Sequence, residues 1–170
     1  MIPSALASLG VADGAAPGGA EVAPDPLGLA ADLAEVRRIA VLLVDGLGHE
    51  QLPVAAPVAP TLADLVAGRL GVLRPITSGF PSTTPTSLVT VGAGVPPGTH
   101  GVLGFSLNVP GTSRVLNHIR WADDPDPRRW QPVPTQFARA AAAGVTTTVV
   151  SRSAFAGSGL TVSAYHGAAY

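Results

Sequence analysis

Between Arg38 and Asp45 the chain runs Ile39-Ala40-Val41-Leu42-Leu43-Val44 without a polar residue, the clearest structural signal along its length. An unbroken apolar run of this kind needs cover on both faces, which predicts a central strand of a parallel sheet. Ahead of it, Leu27, Leu29, Ala30, Leu33 and Val36 recur at partial helical spacing and predict a helix over 27–37. Behind it, a second helix is expected over 61–67, with Thr61 as cap and Leu62, Leu65 and Val66 on one face. Residues 71–76 read as another strand. A polar, proline-marked turn from Ser82 runs into a small-residue helix ending near Val91. Two extended segments, 102–109 and 114–121, flank Pro110-Gly111-Thr112 as a hairpin. A helix over 134–143 closes at Gly144, where glycine accepts the left-handed conformation, and the β-branched run 146–151 reads as a strand. Helices alternating with buried strands predict a three-layer α/β/α domain with a mostly parallel central sheet. Neither an internal repeat nor a dividing linker is evident. The expected organisation is a flexible lead-in over 1–26, rich in Gly, Ala, Pro and Asp beyond residue 10, followed by one domain over 27–170.

Composition narrows the functional classes. With 46% hydrophobic and 12% charged residues, the chain is globular and not disordered. Its net charge of −1, carried with ten arginines and no lysine, provides no basic field for nucleic acid or an anionic membrane surface. The absence of cysteine excludes disulfides and thiolate metal sites. The longest apolar run is too short to span a bilayer. The opening Met1-Ile2-Pro3-Ser4-Ala5 lacks a basic region leading into a sustained apolar core, so the expectation is a cytoplasmic protein.

Two segments carry candidate chemistry. An aspartate just past a buried strand, as in Val44-Asp45-Gly46, sits at the carboxyl edge of the sheet, where open α/β folds bind ligands. A carboxylate there suits a divalent cation; Asp-Gly is equally a common turn. In Gly79-Phe80-Pro81-Ser82-Thr83-Thr84-Pro85-Thr86-Ser87, hydroxyls crowd the entrance of a helix, whose unpaired N–H groups and dipole favour phosphate. A threonine there becomes a nucleophile when a bound metal lowers its pKa; helix capping explains the same residues without chemistry.

Taken together, Asp45-Gly46, Pro81-Ser82-Thr83-Thr84 and Gly94-Val95-Pro96-Pro97-Gly98-Thr99-His100-Gly101 resemble the type I phosphodiesterase/nucleotide pyrophosphatase branch of the alkaline phosphatase superfamily. That branch ends its first strand in Asp-Gly. It continues with Pro-Thr-x-Thr-Phe-Pro-Asn and then a Gly-x-x-Pro-x-x-His-Gly turn, which the last segment fits without a gap. The resemblance is good over 39–104 and looser over 130–149. It implies a metal-dependent hydrolase of phosphodiester or nucleotide pyrophosphate bonds with two divalent ions, zinc by the family pattern, and a phosphate-ester or nucleotide substrate. Counting back from His100 places the nucleophile on Thr84. By the same resemblance Asp45 and Thr84 share one metal.

Two departures bear on the site. The family's Phe-Pro-Asn is Pro85-Thr86-Ser87 here, so Ser87, a shorter donor, stands where an asparagine holds a phosphoryl oxygen. The family's further aspartates and histidines, in Asp-x-x-x-His and Asp-His-Gly segments, have no counterpart. His49, His118 and His166 lie in neither context, and His100 belongs to the structural turn. The sequence stops at Tyr170 where those ligands would begin. The expectation is therefore an incomplete domain, inactive alone, supplying the nucleophile and one metal ligand. A non-catalytic α/β domain that binds a phosphate-bearing ligand or a partner is the alternative. Substrate identity and oligomeric state are not encoded in any motif.

Overall fold

The computed structural model describes residues 1–11 and 24–170, which form two compact units, one of Met1–Ile39 with Gly79–Tyr170 and the other of Ala40–Ser78. In chain order the helices are α1 (Ile2–Ser8), α2 (Leu29–Asp32), α3 (Leu52–Ala55), α4 (Pro60–Val66), α5 (Thr84–Ala93), α6 (Pro97–His100), α7 (Pro127–Trp130), α8 (Gln136–Ala142) and α9 (Gly159–Tyr165). Strands β1 (Ser106–Asn108) and β2 (Val115–Asn117) fall between α6 and α7.

In the larger unit α5 is the central element. Val89 and Ala93 of α5 bury into a cluster with Val95, Val102, Val133, Leu160 and Ala164. Val91 packs against a second cluster formed by Ile2, Leu6 and Ala140. The α5–α9 contact is backbone on backbone: a Cβ at Gly92 would lie 1.8 Å from the Ala164 carbonyl oxygen, so only glycine fits there. Buried polar side chains pin the same core. Gln131 donates from Nε2 to the carbonyls of Val133 and Ser163, and Gln136 donates to that of Ala93. The Val133 carbonyl lies between α7 and α8, and those of Ala93 and Ser163 lie in the last turns of α5 and α9, where intrahelical partners run out.

The hairpin forms around Pro110-Gly111-Thr112 as expected, with strands shorter than the segments 102–109 and 114–121. β1 and β2 pair antiparallel with Leu107 opposite Leu116. The connection turns at Gly111, φ 74°, and the Thr112 hydroxyl donates to the Val109 carbonyl. α8 begins later than expected, capped by Thr135, whose hydroxyl accepts from Ala138 N–H, and the chain closes at Gly144 with φ 77°. The early helix is short: α2 spans one turn, held by Asp25 accepting from Leu29 and Ala30 N–H. It buries no side chain, and a helix without a buried face gains little from continuing. Within the expected lead-in, α1 is packed through Ile2 and Leu6, while 12–23 lie outside the described residues.

The smaller unit folds around Leu52, with a 3₁₀ turn at His49–Gln51, α3, a second turn at Ala56–Val58, and α4. α4 starts at Pro60 after Ala59, so Thr61 is inside the helix and does not cap it as expected. Arg69 pairs with Asp64 at its end.

The expected parallel sheet is where sequence and structure part. Among the described residues there is one sheet, the two-stranded antiparallel hairpin. Residues 39–44 and 71–76 carry no regular hydrogen-bonded structure, and Leu42 is 87% exposed. The run 146–151 makes an isolated parallel bridge, Thr148 to Ala169, with Val149 N–H donating to the Ala169 carbonyl. A strand exists by pairing with a neighbour, and no neighbouring strand is formed beside residues 41–44 or 72–76. These apolar segments therefore stay exposed.

Candidate active site

The hydroxyl-rich entrance leads directly into α5. Thr83 is the extended residue before the helix (φ −87°, ψ 152°) and Thr84 its first helical residue. Pro85 sits in the first turn, where a missing N–H is tolerated because no intrahelical partner exists. The first intrahelical bond runs from Ser87 N–H to the Thr83 carbonyl at 2.9 Å. Thr83 does not cap with its side chain. Its hydroxyl donates to the buried Thr86 hydroxyl at 3.0 Å. Ser82 is exposed, while Thr84 and Ser87 are half-buried. Thr84 and Ser87, three apart on the first turn, are neighbours on the helix surface. The arrangement places alcohols around a helix N-terminus, which favours anionic groups.

The other end of α5 is fixed by the Pro-x-x-His-Gly segment. α5 stops at Gly94, φ 73°, and Pro96-Pro97 start α6, which ends at His100 before Gly101, φ 78°. His100, 1% exposed, is fully partnered. Val102 N–H donates to Nδ1 at 3.1 Å, so Nδ1 carries no proton. Nε2–H then donates to the Thr90 hydroxyl at 2.9 Å. Burial pushes the His100 pKa down to about 4, against a smaller opposing pull from its own backbone. The ring is thus a neutral brace between the turn and α5, the structural role expected for it. Sequence reading did not anticipate its partner Thr90, or the Thr83–Thr86 pair. In the latter, the spacing of three residues at a helix start was the available signal.

Asp45 lies in the smaller unit, exposed, in a turn with Gly46 at φ 75°. Thr84 and Ser87 belong to the larger unit. The structure therefore brings Thr84 and Ser87 together on one helix turn, and describes Asp45 within a separate body. The remaining histidines differ in their surroundings. His118 is buried and bonded, His166 is exposed at the end of α9, and His49 is exposed beside Glu50 at 3.1 Å. Among the described residues no group of three or more His, Cys, Asp or Glu side chains could hold a metal ion. No helix among them is long and apolar enough to cross a membrane.

A family model, type I phosphodiesterase / nucleotide pyrophosphatase, matches residues 39–169. No curated protein and no solved structure matches the chain.

Proposed function

The chain belongs to the type I phosphodiesterase / nucleotide pyrophosphatase family, and from that membership we propose that it carries the nucleophile end of a phosphoric ester hydrolase. The family suggests phosphodiesterase or pyrophosphatase chemistry on a small phosphate-ester substrate, typical metal dependence and an alkaline phosphatase-like α/β fold. In our reading that fold is the three-layer, mostly parallel one. Thr84 is the attacking residue: its oxygen bonds to phosphorus as the bond to the leaving alcohol or nucleotide breaks, and water then releases the group. The observation that carries this reading is the position of Thr84 as first residue of α5, inside the matched segment. Ser87, one turn on, would reach toward a phosphoryl oxygen.

A pair of divalent ions, zinc in our reading, supplies positive charge to such a reaction. Asp45 and Thr84 would share one of them. One carboxylate and one hydroxyl fall short of the three protein ligands that a catalytic zinc usually takes. The described residues do not fit a complete centre. The 170-residue chain alone is therefore expected to turn over little or nothing. Family membership does not favour the non-catalytic alternative.

The test is to assay residues 1–170 with added zinc on a nitrophenyl phosphodiester, beside a chain extended past Tyr170 with further metal donors. The expected result is turnover in the extended chain only, abolished by Thr84→Ala. Zinc-dependent turnover by the short chain, lost on Thr84→Ala, would require ligands outside those named and overturn the claim of inactivity. Turnover of the extended chain that survives Thr84→Ala would remove Thr84 as nucleophile.

A further inference from the structure

His118 opens a 3₁₀ turn, His118–Arg120, directly after β2, and is fully buried. Its backbone N–H donates to the Phe105 carbonyl at 2.9 Å, extending the hairpin pairing by one residue. Its ring is held from two sides. Trp130 Nε1 of α7 lies 3.1 Å from His118 Nε2, and Nδ1 lies 3.2 Å from the Phe105 carbonyl oxygen. Indole N–H can only donate, so Nε2 must be the acceptor and Nδ1 must carry the proton, which it donates to Phe105. This is the opposite tautomer from His100; the Trp130 contact requires an unprotonated Nε2, while the Phe105 carbonyl accepts from Nδ1 in either state.

The surroundings are apolar and aromatic. Trp121 meets the imidazole edge-on at 5.5 Å, Trp130 lies at 6.0 Å, and the two indoles pack at 6.2 Å. Trp121 is in turn covered by Gly159 of α9, whose N–H donates to the Trp121 carbonyl; a Cβ there would lie 2.3 Å from the indole ring.

The charged and titratable groups on the elements packed around His118 are few. They are Arg120 on its own turn, Arg114 on the hairpin in an ion pair with Asp124 at 2.8 Å, and Arg128 and Arg129 on α7. The intervening segment adds Asp123 and Asp126, and α9 adds Tyr165, with His166 after it. Every one of these except Tyr165 is exposed. Burial, opposed by the carbonyls of Phe105 and Gly104, sets the ring's basicity and holds its pKa below the ordinary histidine value. A proton added at Nε2 would face the Trp130 N–H, donor against donor, and bury a charge with no carboxylate partner. A two-stranded hairpin has little stability of its own, and the ring's contacts with Trp130 and Phe105 tie β1–β2 to α7.

We propose that His118 is a proton-released latch: neutral, it fastens the β1–β2 hairpin to α7; protonated, it frees the hairpin while the helical core stays folded. The sequence contains two tryptophans, and both touch this ring, so tryptophan emission is sensitive to the latch.

The experiment uses the whole 170-residue chain, with imidazole NMR, tryptophan emission and amide hydrogen exchange followed from about pH 7.5 down to the pH at which the far-UV helical signal is lost. At the upper pH His118 should show the Nδ1–H tautomer. As it takes up its proton, emission should change and the protection of the Val109 and His118 amides, measured against the intrinsic exchange rate at each pH, should fall. The fall should be about tenfold for each pH unit by which release raises the ring's pKa. Far-UV helical signal should hold through that transition. In His118→Gln, whose side-chain carbonyl accepts from Trp130 without titrating, the emission change should vanish. The proposal is overturned by an Nε2–H tautomer, by protonation that leaves hairpin protection unchanged, by helix loss in the same transition, or by an unaltered transition in His118→Gln. Should that variant not fold, the wild-type tautomer and exchange data decide alone.

Discussion

His100 makes stability depend on pH in a calculable way. Its folded pKa of about 4 sits below an unfolded value of 6.5, so the folded state binds its proton less readily than the unfolded chain does. The sign follows. Above pH 6.5 neither state is protonated and the full contribution is present. As pH falls below 6.5 the unfolded chain gains a proton that the native ring refuses, and stability declines until pH reaches about 4. The separation of the two pKa values corresponds to ~3 kcal/mol at 1.36 kcal/mol per unit, with a limiting slope of ~1.4 kcal/mol per pH unit. Against a typical domain stability of about 5–15 kcal/mol this is a large share. Urea unfolding followed by far-UV circular dichroism at several pH values between neutrality and mild acid measures it. His118 is shifted in the same direction and adds to the wild-type slope. His100→Asn, which keeps an acceptor near the Val102 N–H, should reduce it by one. A stability that is flat over this range, or a slope unaltered by His100→Asn, would refute the reasoning.

Gly92→Ala should destabilise the larger unit by about 1–3 kcal/mol through overpacking. The added methyl has no room against Ala164, and thermal melts should show the loss. Gln131→Ala strips partners from the buried amide and carbonyl of Val133 and from the carbonyl of Ser163. It should lower the urea midpoint by the equivalent of about 2–4 kcal/mol. Thr83→Ala leaves the buried Thr86 hydroxyl without its donor and should cost about 1 kcal/mol in the same titration. An extended, active chain with that substitution should retain most of its turnover.

What the sequence made legible is what local chemistry determines. The proline-marked turn from Ser82 announced the start of α5, and Pro110-Gly111-Thr112 the hairpin, because capping, proline and positive-φ glycine act within a few residues; α5 itself runs on to Ala93, past the end expected near Val91. The family motifs were equally local, and Thr84, Ser87 and His100 fall at a helix start, in its first turn and in a buried turn, as their motif positions imply. Non-local information was not legible. Residues 41–44 have the composition of a central strand, yet a strand is made by its neighbours, and their own sequence does not say whether those neighbours pair. α1 and α9 were missed for a related reason. Ile2 and Leu6, or Leu160 and Ala164, show too few apolar positions to signal a helix, and their cover comes from residues far along the chain. The histidine tautomers depend on Thr90, Val102, Phe105 and Trp130, contacts that no spacing rule predicts.

The central claim is that Thr84 forms the bond to phosphorus, and a trapped covalent intermediate tests it most directly. Acid-quenched, extended chain that has been incubated with zinc and a nitrophenyl nucleotide diester can be digested and its peptides sequenced by mass spectrometry. The account predicts a phosphoryl or nucleotidyl group on Thr84 and none in Thr84→Ala. An adduct on Ser82 or Thr83, with Thr84 unmodified, would contradict it.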